Sequence, residues 1–293
     1  MTDETPSLDA LRRQIDAIDN ELRDAIVRRM GLIAQVARAK QLNPNDPRSA
    51  MRPAREAQIL ARLTADLPTS VPPFLLARVW GEMINTATAK QSRHAVAVCA
   101  PERSVGYWDL ARNHFGSATP MTLHRSPVLV LRAVNDNPAM CGVMPLADEG
   151  EAEPWWPELG RQAANEGSAR IVWRLPFITS PAGRFENPSA YVIARVDLEP
   201  CGNDVTIAVV ATDLGQSRAR LVDLAAASGL VVRLLATHEQ RADNQRLHLV
   251  EIDGFHVGPG AFDALHAAAG DALTQAVVIG SHPRQIAPPV ARD

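Results

Sequence analysis

An arginine stands in the middle of an apolar stripe near the start of this chain. Writing heptads with Leu8 at position a places Leu8, Ile15, Leu22, Arg29 and Val36 at a, and Leu11, Ile18, Ala25, Leu32 and Ala39 at d. Such a seam lies against other helices, and Arg29 alone interrupts it. A buried guanidinium is costly unless paired, and no acidic residue lies three or four positions away on the same helix. Arg29 therefore faces either a carboxylate from a neighbouring helix or a bound anion. Lys40 follows eleven residues later, almost three whole turns, and points the same way. At ~1.5 Å rise per residue their Cα atoms are about 16 Å apart, a span that two long cationic side chains can close around one small ligand. Arg12 is also basic, but stands roughly 42 Å from Lys40 along the axis by the same rise. If Arg12 and Lys40 serve one pocket, Arg12 comes from a second copy paired antiparallel; taken alone, Arg12 reads as a solvated surface charge. Arg55 and Glu56 follow a loop that could fold over such a pocket, and Gln91 closes a later helix.

The elements that must carry these groups are legible in outline. Ser7 is an N-cap for a helix running to Gln41. The loop NPNDPRSAMRP ends at Pro53, a residue suited to the first turn of a second helix, and a third runs from Pro73 through FLLARVWGEMINTATAKQ. From Ala95 to Asp197, short apolar runs (HAVAVCA, SPVLVLRAV, ARIVWRL, SAYVIARV) separated by Pro, Gly and Asn predict alternating strands and helices. From Asp204 to Ser281 the order is strand, helix, strand, strand, helix, strand, the βαββαβ pattern of ferredoxin-like folds. The tail PRQIAPPVARD is Pro-rich and expected to be loose. The expected domains are 1–93, 94–200 and 201–293.

Composition excludes several function classes. The 293 residues carry 30 Lys+Arg against 33 Asp+Glu, a net charge of -3, so no broad electrostatic field favours nucleic acid or anionic lipid. The 46% hydrophobic content supplies real cores. No apolar run approaches the ~20 residues of a membrane span. The polar, acidic N-terminus has no export signal, so a cytoplasmic location is expected. Cys99, Cys141 and Cys201 fit neither a disulfide framework nor a zinc site and are expected to be reduced and structural.

LRRQIDAIDNELRDAIVRRMGLIAQVARAK, then RPAREAQIL, then a helix ending in Gln, resembles the bifunctional P-protein family, in which an all-helical chorismate mutase is fused to prephenate dehydratase and an ACT regulatory domain. The resemblance implies a multidomain α plus α/β protein. Its parts would be a three-helix mutase forming an intertwined dimer, a truncated one-lobe dehydratase-like α/β region and a C-terminal ACT-like βαββαβ module. Carried over by motif, Arg12, Arg29, Lys40, Arg55, Glu56 and Gln91 would bind chorismate, with Arg29, Lys40, Glu56 and Gln91 as the catalytic set. No cofactor or metal is implied. The implied partners are chorismate and further copies of the chain in a homodimer or higher homo-oligomer, with neither nucleic acid nor membrane. The acidic residue often found three positions before the Arg-Glu pair is replaced here by Arg52.

The middle region resembles a dehydratase that has lost parts. GVMPLADE (residues 142–149) replaces a motif ending in Glu-Asn-Ser, and Asn187-Pro-Ser189-Ala190-Tyr191 replaces Asn-x-Thr-Arg-Phe. HAVAVCAPERS puts Ala100, Glu102 and Arg103 where the family has a Gly-rich turn, and the second lobe has no counterpart. The last region ends in Gly280-Ser281-His282-Pro283, as the ACT-bearing family does. Its two effector motifs read Ala219-Arg220-Leu221-Val222 and Ala236-Thr237-His238-Glu239 instead, so phenylalanine control through them is not expected. His238 and His282 read as structural or solvated. The resemblance implies conversion of chorismate to prephenate beside an inactive dehydratase remnant. A chain that still converts prephenate to phenylpyruvate, and a non-catalytic regulatory partner in the aromatic pathway, are the alternatives.

Overall fold

The computed structural model describes residues 7–39, 50–100, 106–179 and 188–287. Lys40, Glu102, Arg103 and Asn187 lie outside the described residues. The chain divides into two compact units at position 46/47.

In the first unit, α1 (Leu8–Ala39) is a single helix. The Ser7 hydroxyl accepts from the Ala10 N–H at 3.3 Å, the expected cap. The apolar stripe is exposed along its length, at Leu8, Leu11, Ile15, Ile18, Leu22, Leu32 and Val36.

The second unit opens with α2 (Pro53–Thr64), whose first residue is the proline expected there, and α3 (Pro73–Ala89). Then follow β1 (Ala95–Cys99), α4 (Gly106–Phe115), β2 (Met121–His124), α5 (Pro127–Asp136), β3 (Met140–Pro145), α6 (Trp156–Gln162), β4 (Arg170–Leu175) and β5 (Ala190–Ala194). The last stretch holds β6 (Asp204–Asp213), α7 (Arg218–Ala227), β7 (Val232–Gln240), β8 (Gln245–Asp253), α8 (Asp263–Ala269) and β9 (Leu273–Pro283). The sheet order is β2-β1-β3-β5-β4-β9-β6-β8-β7. β1 runs parallel to both β2 and β3, whereas β5 is antiparallel to β3 and β4. The final four strands are antiparallel and give the ferredoxin-like order, first strand beside fourth and third, with the second at the edge.

Residues 94–200 and 201–293, expected as two domains, thus share one sheet, joined where Ile171 pairs in parallel with Gly280. A Cβ on Gly280 would stand 2.5 Å from Ile171 Cβ and 2.7 Å from its Cα, so no side chain fits between the strands there. The glycine of GSHP is therefore a joining residue. Gly142, the first residue of GVMPLADE, acts similarly: a Cβ there would lie 2.5 Å from Val130 Cγ1, and its absence lets α5 settle on β3.

Helices α2 and α3 are built into this body. Met51, Ala57 and Leu60 are buried in one core with Val96, Phe115, Val172 and Trp173 of the α/β region. α3 is stitched to α4 and the turn after it: the Asn85 amide donates to His114 O at 3.0 Å, and Glu82 Oε1 accepts from the Ser117 N–H at 2.9 Å. As expected, Cys99, Cys141 and Cys201 are all free thiols.

Replacing Gly280 with alanine forces the β4 and β9 backbones apart, and a small-to-large change of this kind costs typically ~1–3 kcal/mol. Gly280→Ala should fall at the upper end, read as a lower midpoint in urea unfolding; an unchanged midpoint would show that the junction yields freely.

Candidate functional site

Of the six residues singled out by sequence, two sit on α1. Arg12 is exposed and lies 3.6 Å from Asp9, one turn earlier, an ion pair open to water. Arg29 is half-buried, with its Nη1 enclosed and lacking a hydrogen-bond partner among the described residues. Burial draws its pKa below the ordinary guanidinium value, because losing water disfavours the charged form. A guanidinium with an unfilled donor has the character of an anion receiver.

Three others sit in the second unit. Arg55 is exposed on α2, with Glu56 beside it. Glu56 Oε1 accepts from the backbone N–H of Arg52, at the helix N-cap, at 3.3 Å. Burial pushes the Glu56 carboxyl up to about 7, and the Arg52 N–H offsets only part of that rise. Gln91 follows the end of α3, and its Nε2 donates to Ala87 O at 3.1 Å, so one of its two amide N–H groups remains to be used. The segment before α2 meets the segment after α3 where the Ala50 N–H donates to Ser92 Oγ at 3.2 Å. That contact draws the start of the Arg55-Glu56 helix toward Gln91. Ser92 went unnoticed in the sequence because its partner is 42 residues away and no local pattern marks it. Lys40 is outside the described residues.

Arg52, the departure from the family pattern, has its own partner. Its Nη2 bridges both oxygens of Glu199, at 2.8 and 2.9 Å, and Gln58 Nε2 reaches Pro200 O at 3.5 Å. The reversed charge serves to hold α2 to the segment between β5 and β6.

Residues of GVMPLADE and of the two stretches singled out in the last region contact one another. Arg218, at the start of α7, pairs with Glu149 and donates to Thr237 Oγ1 at 2.9 Å. One guanidinium thereby ties the end of GVMPLADE to the Ala236-Thr237-His238-Glu239 stretch. Arg220 is exposed, with its N–H on the capping hydroxyl of Ser217 at 3.1 Å. Tyr191 and His282 are buried in ring contact, centroids 5.9 Å apart. Burial depresses His282 to about 4, so it is neutral near pH 7. His282 is structural, and His238 is half-buried. Among the described residues no group of His, Cys, Asp and Glu is arranged to hold a metal ion, and no helix is long and apolar enough to cross a membrane.

Residues 11–92 match the model of the chorismate mutase type II family. No curated protein matches the chain. Among solved structures, it is similar to the quorum quenching acylase GqqA, at 16% identity and a TM-score of 0.45 over 64% of this chain and 94% of that one. It is also similar to prephenate dehydratase from Streptococcus mutans, at 12% identity and 0.43 over 64% and 97%. Prephenate dehydratase of Arthrobacter aurescens in complex with L-Phe gives 12% and 0.44 over 65% and 90%.

Because the folded-state pKa of Glu56 lies above its unfolded value of 4.5, the native state holds a proton that the unfolded chain has already released between those values. The cost of burying this carboxyl is absent below about pH 4.5 and grows to about 3 kcal/mol above about pH 7. Glu56→Gln should therefore raise Tm at pH 8 and leave it nearly unchanged at pH 4. Equal shifts at both pH values would mean that the carboxyl is not buried in the charged state.

Proposed function

We propose that this chain is a chorismate mutase, rearranging chorismate to prephenate, and that its dehydratase-like and ACT-like regions serve as scaffold. The observation that carries the reading is the family match over residues 11–92, which spans all of the sequence-predicted site residues. The enclosed, unfilled Nη1 of Arg29 supports it.

The reaction is an intramolecular Claisen rearrangement, in which the ether C–O bond breaks as a C–C bond forms. No nucleophile, metal or proton transfer is required. The protein's contribution is to hold the reactive diaxial conformer and to stabilise charge on the ether oxygen. Arg29 and Arg12 of a second copy would grip the two carboxylates, for which guanidinium forks are matched. Lys40 and the unused amide N–H of Gln91 would donate to the ether oxygen. Glu56 would accept from the ring hydroxyl through the oxygen not held by Arg52, and Arg55 would support Glu56 or touch a carboxylate. The exposed apolar stripe of α1 is the surface on which two copies would pair antiparallel, as the separation of Arg12 from Lys40 requires. A soluble cytoplasmic homodimer without cofactor follows from this reading.

Ala190, where the resembling family carries its arginine, is buried in β5. Glu149, in the other altered motif, is taken up by Arg218. Both favour a scaffold over a second active site. Supplying prephenate and watching for phenylpyruvate tests this directly, since formation of phenylpyruvate would remove the scaffold assignment.

Arg29→Ala should keep the helix and lower turnover about a hundredfold, as loss of a charge-assisted contact of ~3 kcal/mol implies. The assay is loss of chorismate absorbance with product identification, and near-normal turnover would displace the pocket from Arg29. Inactive Arg12→Ala chains mixed with inactive Lys40→Ala chains should regain partial activity, because one of the two pockets then draws both residues from intact copies. No recovery after verified subunit exchange would exclude the shared site. Turnover should also fall as pH drops through about 7, because a protonated Glu56 offers a weaker acceptor. A flat profile between pH 6 and 8 would take Glu56 out of the site.

A further inference from the structure

β4 and β9 pair at Ile171 and Gly280 and nowhere else. β4 begins at Arg170, so the edge of β9 before that point, on the side away from β6, has no strand beside it among the described residues. The gap is a cleft of about 380 Å3, within the ~300–1,000 Å3 typical of small-molecule sites. Its lining is mixed: Val278 of β9 and the buried Phe262 share one apolar face, and Arg170 stands beside them. Asp263 and His266 line it from α8, where both are exposed.

Arg170 is the unusual member. Its Nη1 donates to Val278 O at 3.2 Å and its Nη2 to Ala163 O. Both acceptors are neutral carbonyls, and no carboxylate among the described residues forms an ion pair with it. Burial lowers its pKa, as expected for a cation stripped of water without a counter-charge. Its remaining N–H donors can serve a further acceptor. An anion seated there would restore the missing charge balance, and Val278 and Phe262 would take a small apolar body. Asp263 disfavours a second negative charge in the same cleft, which selects one carboxylate over two.

We propose that this cleft binds a small organic monocarboxylate, with its head on the Arg170 guanidinium and its apolar body against Val278 and Phe262. The site is separate from the residues assigned to the mutase pocket and does not depend on that assignment.

The test uses the full chain and calorimetric titration with 3-phenylpropionate, its neutral amide and inorganic phosphate. Saturable binding of 3-phenylpropionate is expected, about tenfold or more tighter than that of the amide or of phosphate. Arg170→Gln should weaken it by a similar factor. Because that variant also loses two internal hydrogen bonds, Ala261→Trp supplies an independent reading: it fills the cleft from its lining without touching those bonds and should abolish binding while circular dichroism stays unchanged. Absence of saturable binding overturns the proposal, as does equal affinity for the amide or for phosphate. Binding that persists in folded Ala261→Trp does so too.

Discussion

The backbone approach between Ile171 and Gly280 is the constraint on which the second unit depends. A five-stranded sheet with parallel pairs on one side and a four-stranded antiparallel sheet on the other have different twists and hydrogen-bond spacings, and a long shared edge would have to reconcile them. β4 and β9 share one pair, and one further parallel bridge, Ile178 to Ile286, lies past their ends, so the shared edge stays short. Other contacts hold the seam closed around it. Glu251 of β8, with only 9% of its side chain exposed, accepts from Arg174 of β4 at 3.0 Å and from Arg233 of β7. Past the end of β9, the Ile286 N–H donates to Phe177 O at 2.8 Å, and Gln285 Nε2 to Pro176 O at 2.7 Å. The junction is thus narrow between β4 and β9 and broadened beyond them by backbone and side-chain bonds together.

Much of the fold was legible because it is written in local periods. The seam of α1, the proline that starts α2 and the βαββαβ order of the last region are all patterns within a few tens of residues. Arg29 stood out because it broke such a pattern. What escaped were pairings across long separations, which leave no periodic trace. Arg52 meets Glu199 across 147 residues. The separation of 94–200 from 201–293 was expected from a change in composition, yet composition carries no information about whether two sheets share an edge. GSHP was visible as a motif, but only the distance from Gly280 to Ile171 gives its glycine a task.

Two exposed ion pairs join segments that are far apart in sequence. Pairs open to water contribute little to stability, typically about 0–1 kcal/mol, so their effect is to set positions more than to add free energy. Glu149 and Arg218 neutralise each other across two regions, with Thr237 as an additional acceptor. Arg52 likewise pairs with Glu199. In both cases an arginine joins segments distant in sequence.

Burial of Met51, Ala57 and Leu60 against the α/β core has a consequence for how this chain can change over generations. A shortened descendant lacking the sheet would expose that face of α2 and lose the anchor of Arg52, so deletion would harm the helices before it economised on length. Substitutions elsewhere in the body are constrained by the need to keep its outline for the neighbour it supports. Such a region persists as an architectural commitment, whether or not it retains any chemistry of its own.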